Sequence, residues 1–126
     1  MQYRPTAAEL LADIATLLED EVIDALDGPV QHKVRVAANL ARILEREVAL
    51  AAANADRETA TIRVLFGLPS DDPTPLPELR ARLAGALRAG DLPGLSETAV
   101  WQALVDMTRD DLAIAKPGHD SWRGDA

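Results

Sequence analysis

The sequence predicts an all-α protein, a single-domain bundle of about five antiparallel helices. Three observations carry that expectation. Apolar residues make up 48% of the 126, yet the aromatics are only two Trp, one Tyr and one Phe, so Leu, Ala, Val and Ile must build the interior. That mixture suits helix packing better than sheets. Apolar positions recur at spacings of three and four along most of the chain, and the connections between such runs are short and marked by Gly and Pro, as in up-and-down bundles.

The first helix is expected from residue 7. Thr6 and Glu9 have the spacing of a capping box. Leu10, Leu11, Ile14, Leu17, Leu18 and Val22 then form one apolar face, to about residue 26, with Gly28-Pro29 as the stop. A second helix is expected over about 31–52 with Val36, Leu40, Ile43, Leu44 and Val48 toward the core. Asn54 or Asp56 is placed to cap a third, which carries Ile62, Leu65 and Phe66 and stops at Gly67. The stretch LPSDDPTP reads as a surface loop. Pro77 suits the first turn of a fourth helix with Leu79, Leu83, Ala86 and Leu87 on its apolar face and Gly90 as a left-handed stop. Ser96 is placed to cap the fifth, whose Val100, Trp101, Leu104, Val105, Thr108 and Leu112 follow helical spacing up to Pro117. Residues 1–117 are thus the expected bundle domain and 118–126 a flexible tail. No internal repeat is visible.

Charge and composition narrow the function classes. A net charge of −8 and a pI near 4.6 argue against affinity for nucleic acid or anionic membrane, both of which reward basic surfaces. Without cysteine there is no disulfide, thiol nucleophile or thiolate metal site. The N-terminal stretch MQYRPTAAELLADIATLL lacks the pattern of a signal peptide, and no apolar run is long enough for a membrane span, so a cytoplasmic protein is expected.

Few residues suggest chemistry. His32 and His119 have no second ligand at metal-binding spacing on the same helix. No glycine-rich phosphate loop or nucleophile elbow occurs. Asp106, Asp110 and Asp111 lie near one another in sequence, but acids on a terminal helix are ordinarily solvated. The expectation is therefore a protein that is not an enzyme and needs no metal or cofactor.

Surfaces are more informative. Residues 6–28 contain seven acids and no base, with Glu9, Asp13, Asp20 and Asp24 within roughly 60° on the first helix. That strip is either a docking edge for a basic partner or a solvated face. On the second helix Arg35, Asn39, Arg42 and Arg46 also fall within roughly 60°, nearly opposite the apolar stripe, and are expected to point away from the core. Guanidinium forks suit carboxylate and phosphate groups, so this stripe is the leading candidate for binding a partner or an anion. Its bland alternative is a wet helix back laced by contacts such as Arg42 to Glu45. On the fifth helix Trp101 and Met107 read either as core or as part of an apolar docking face.

Three stretches together carry a resemblance: RPTAAELL at 4–11, RVAANLARILERE at 35–47 and LAIAKPG at 112–118. In order and separation they resemble the signatures of a bacterial family of small helical proteins catalogued mostly as a domain of unknown function. At the last of these the family has NP and an aromatic soon after, where this chain has Lys116-Pro117 and Gly118-His119. Members are typically encoded beside an aminoglycoside-phosphotransferase-type kinase and an acyl-CoA dehydrogenase-like enzyme. One is similar to the small companion subunit of the 4-hydroxyacyl-CoA kinase of levulinate catabolism. The resemblance implies a non-catalytic accessory subunit of such a kinase, acting on hydroxyacyl-CoA or a related acid. Arg35, Asn39, Arg42 and Arg46 are then the expected contacts, with Arg4 beside the first helix cap a weaker one; self-association into a homo-oligomer stays open. A second reading is a stand-alone module binding an acyl or CoA-type ligand among its helices, for which an apolar cavity with arginines at its mouth would speak. A third, ranked last, is a small enzyme using the carboxylates of the fifth helix.

Overall fold

The computed structural model describes residues 4–90 and 96–118. All regular structure among them is helical. Helix α1 is Ala7–Leu17, followed by a π-helical turn Leu18–Val22 and a 3-10 turn Ile23–Ala25. Helix α2 is Gly28–Leu65, α3 is Leu76–Ala89 and α4 is Glu97–Ala115. The described residues therefore form four α-helices rather than five, because the expected second and third are one helix of 38 residues. The sequence LAAANADRE between them holds neither Gly nor Pro, and its alanines favour continuing the helix over the weak cap signals of Asn54 and Asp56. Asn54 instead donates from Nδ2 to the carbonyl of Asp110 at 3.4 Å.

Local stop and start signals act where expected. The Thr6 hydroxyl accepts from the Glu9 amide at 3.2 Å while the Thr6 amide donates to Glu9 Oε2 at 2.9 Å, completing the capping box. Ser96 Oγ accepts from the Ala99 amide at 3.0 Å. Gly90 ends α3 at φ +65°, the left-handed conformation that side chains disfavour. Between α2 and α3 the loop is held by Arg63, which donates to the carbonyls of Ser70 at 2.8 Å and Asp72 at 2.6 Å. Beside it the Arg82 guanidinium lies 4.3 Å from the centre of the Phe66 ring.

The described chain forms two compact units: residues 4–51 with 112–118, and residues 52–90 with 96–111. Helices α2 and α4 contribute a part to each. The second unit has a conventional interior in which Ile62, Leu65, Leu79, Leu83, Val100 and Ala103 are buried, with Phe66, Leu76, Leu104 and Met107 packed on them. Trp101 is 66% exposed and lies outside it.

The first unit is different. Its buried residues are all alanines, Ala15 at 0% exposure, Ala38 at 2% and Ala41 at 7%. Leu11, Leu18, Val22, Val34 and Ile43 are half-buried. Leu10, Ile14 and Leu17 on α1, and Val36, Leu40, Leu44 and Val48 on α2, are exposed. The expectation that Val36, Leu40, Leu44 and Val48 face the core is overturned. Small residues let two helical backbones approach closely, so the alanine edge of α2 packs inward and the large stripe is left outside.

Candidate functional site

The arginine stripe on α2 is divided by what its members touch. Arg42 is fully engaged: Nε and Nη2 donate to the two Glu19 carboxylate oxygens at 3.1 and 3.0 Å, Nη2 also meets Thr16 Oγ1 at 3.2 Å, and Nη1 meets Glu45 Oε2 at 3.0 Å. The hydrogen bond to Glu19, then that to Glu45, raises the Arg42 pKa further and keeps it charged. The same bond holds the Glu19 carboxyl below its ordinary range. Glu19 and Asp20 follow the end of α1, where negative charge opposes the helix dipole, so the guanidinium compensates an unfavourable cluster.

Arg46 donates from Nε to the Ile114 carbonyl at 2.8 Å, satisfying an orphan acceptor in the last turn of α4. Arg42 and Arg46 are both half-buried. Thus the expectation that they point away from the protein's own interior is corrected: they tie the first unit together. The reason is the inversion of α2: with Ala38 and Ala41 turned inward, Arg42 and Arg46 lie at the edge of the packed side. Arg35 and Asn39, on the same arc, are exposed and make no hydrogen bond or ion pair among the described residues. Arg4 is 76% exposed and pairs with Glu9 at 3.6 Å.

Of the acidic strip, Glu9, Asp13, Asp20 and Asp24 are all exposed, and Glu9 also serves the α1 cap. Asp13 stands one residue before Ile14 at the edge of the exposed line Leu10, Ile14, Leu17, whose spacings of four and three place it on one side of α1. This apolar line, and its counterpart on α2, are the features that hydrophobic periodicity located but assigned to the interior. The alanines at 38 and 41 were the available signal for the opposite assignment.

In the second unit two of the α4 carboxylates, Asp106 and Asp110, have hydrogen-bond partners. Asp110 accepts from Arg57 Nε at 3.3 Å and from Nη2 at 3.1 Å, and Arg57 also meets Asn54. Asp106 accepts from Gln102 at 2.8 Å. They border an open groove of about 470 Å³ whose wall includes Arg57, Thr61, Met107 and Asp110. Arg80 forms a two-point pair with Glu58 at 2.7 Å. Arg57–Asp110 and Arg80–Glu58 are ion pairs between helices, and Gln102–Asp106 is a hydrogen bond within α4. His32 is exposed, and His119 lies outside the described residues. Among the described residues no group of three or more His, Cys, Asp or Glu is placed to hold a metal ion. No helix among them is long and apolar enough to cross a membrane.

A family model described as a domain of unknown function (DUF6285) matches residues 24–119, and the chain belongs to that family. No curated protein and no solved structure matches it.

Proposed function

We propose that this member of the DUF6285 family is a non-catalytic accessory protein that works by docking, and that its partner is an aminoglycoside-phosphotransferase-like kinase acting on hydroxyacyl-CoA or a related acid. The observation that carries the docking reading is the first unit's construction: an interior of alanines beneath α1 residues Leu10, Ile14 and Leu17, each about half exposed. Apolar side chains set out in a line with charged neighbours are what a partner surface buries. Asp13 and Glu9 beside that line favour an apolar patch rimmed by cations on the kinase. The kinase class and its substrate rest on the resemblance of residues 4–11, 35–47 and 112–118.

Arg35 and Asn39 are the members of the stripe left available for such a contact or for an anionic substrate near it. Arg42 and Arg46 act by holding α1, α2 and the end of α4 in place, and Arg4 by its position at the start of α1.

The test is co-expression with an aminoglycoside-phosphotransferase-like kinase of the same organism, followed by size-exclusion chromatography and ATP turnover on a hydroxyacyl-CoA. The complex is expected to co-elute and to turn over faster than the kinase alone. Ile14→Asp with Leu17→Asp is expected to abolish both effects while leaving the helical signal intact. A kinase that elutes separately and runs at full rate alone overturns the proposal.

A further inference from the structure

The α1 line does not account for the exposed stripe on α2, and that stripe has a feature of its own. Lys33, Leu40 and Glu47 are seven residues apart and so lie along nearly one line of the helix, drifting about 20° per step. Val36 and Leu44 stand four residues to either side of Leu40, and Leu40 is 53% exposed. Lys33 and Glu47 are exposed, and neither takes part in a hydrogen bond or ion pair among the described residues. The arginines at 4, 42, 57 and 80, by contrast, each have a carboxylate partner. Two opposite charges thus stand at either end of an apolar stripe, at equal distances from its middle.

We infer that the α2 stripe is covered by a second copy of this chain, packed antiparallel about a twofold axis near Leu40. Lys33 and Glu47 each sit about 10.5 Å along the helix from Leu40, at 1.5 Å per residue. An antiparallel twofold therefore brings Lys33 of one copy to Glu47 of the other, and the same pair forms again on the far side of the axis. It sets Val36 against Leu44 twice and Leu40 against itself, the self-complementarity that an isologous interface requires. A parallel arrangement would stack Lys33 on Lys33 and Glu47 on Glu47, which like-charge repulsion disfavours. The occupant is specified by charge as well as by apolarity. The half-exposed Val36, Leu40, Leu44 and Val48, with the stems of Lys33 and Glu47, offer about 400–500 Å² of surface, roughly half of the 800 Å² per partner of a standard interface, which suits a weak and reversible dimer. This inference is independent of the kinase reading, which uses α1 together with Arg35 and Asn39 outside the apolar stripe, and its experiment contains no kinase.

Sedimentation equilibrium of the full chain is expected to show a reversible dimer. Leu40→Asp should raise the dissociation constant by about a hundredfold or more, and Lys33→Glu or Glu47→Lys alone by about tenfold or more. The double exchange Lys33→Glu with Glu47→Lys should restore the parent value, which loss of fold would not do. Because the chain has no cysteine, the geometry is also open to cross-linking. Leu40→Cys should oxidise to a disulfide-linked dimer with itself, whereas Lys33→Cys should cross-link only when mixed with Glu47→Cys. A chain that stays monomeric at 100-fold the concentration used for spectroscopy overturns the inference. So does a Lys33→Cys variant that cross-links efficiently to itself, or a double charge exchange that fails to restore association.

Discussion

Replacing Ala38 with Leu tests which side of α2 is inside. Ala38 is 2% exposed in a unit whose other buried residues are Ala15 and Ala41, so three added carbons have no space unless backbones part. Overpacking of this kind costs about 1–3 kcal/mol, and the upper half of that range is expected where close helix approach depends on small residues. The converse substitution is Leu44→Ala. Leu44 is 48% exposed, so about half of the roughly 1.5–3 kcal/mol of a fully buried leucine is at stake. Alanine's better helix propensity returns a few tenths, leaving a loss of about 1 kcal/mol or less. Had the apolar stripe been the core, the ranking would reverse: Leu44→Ala would cost about 2–5 kcal/mol and Ala38→Leu would fall within about 0.5 kcal/mol of the parent. Urea unfolding followed by far-ultraviolet circular dichroism measures both, provided the variants share one m-value. Each titration is run at two protein concentrations, because self-association adds a concentration-dependent contribution at Leu44 and none at Ala38. An Ala38→Leu variant as stable as the parent, with Leu44→Ala losing more than about 3 kcal/mol at the lower concentration, would refute the reasoning.

Leu79→Ala should cost about 2–5 kcal/mol by urea unfolding, since Leu79 is at 0% exposure in the core of the second unit. Gly90→Ala should cost about 1 kcal/mol by the same measurement: no atom of the described residues lies within 4 Å of the added Cβ, so the loss is the strain of φ +65°. Acidification should weaken the fold through Glu19, depressed by its hydrogen bond from Arg42, and Asp72, depressed by its hydrogen bonds with Thr74. Carboxylates with lowered folded pKa values contribute stability that is full above the ordinary carboxylate pKa, about 4, and is lost as pH falls through the folded value. Urea midpoints recorded from neutral pH downward should therefore drop, and the drop should be shallower in Glu19→Gln and in Asp72→Asn; an unchanged acid limb in both variants would contradict the assignment. Arg46→Met should destabilise by about 1 kcal/mol through the bond to Ile114, read as a lower thermal midpoint, and an unchanged midpoint would show that bond to be idle.

What was legible and what was not separates along the range of the forces involved. The start of α1 at Thr6 and Glu9, the start of α4 at Ser96, the end of α3 at Gly90 and the loop around Pro69–Pro75 were readable because each is settled by hydrogen bonds or backbone preferences within three or four residues. The join of two expected helices into α2 was not, because Asn54 has two competing uses. A cap would have its side-chain oxygen accept from a nearby backbone amide; here that oxygen accepts from Arg57 and its Nδ2 donates to the carbonyl of Asp110, and only the folded chain brings Asp110 there.

The sequence by itself determined that this protein is built of helices, where most of them begin and end, and that two of them carry strong apolar stripes. Tertiary structure alone decided which side of those stripes is covered. Periodicity places Val36, Leu40 and Leu44 on one line, but burial depends on what approaches, and α2 turned Ala38 and Ala41 inward because small side chains allow the closest packing of its neighbours. The same turn drew Arg42 and Arg46 into bonds with Glu19, Glu45 and the end of α4. Hydrophobic surface is non-directional: it specifies that something must cover it and leaves the identity of the cover to shape and charge.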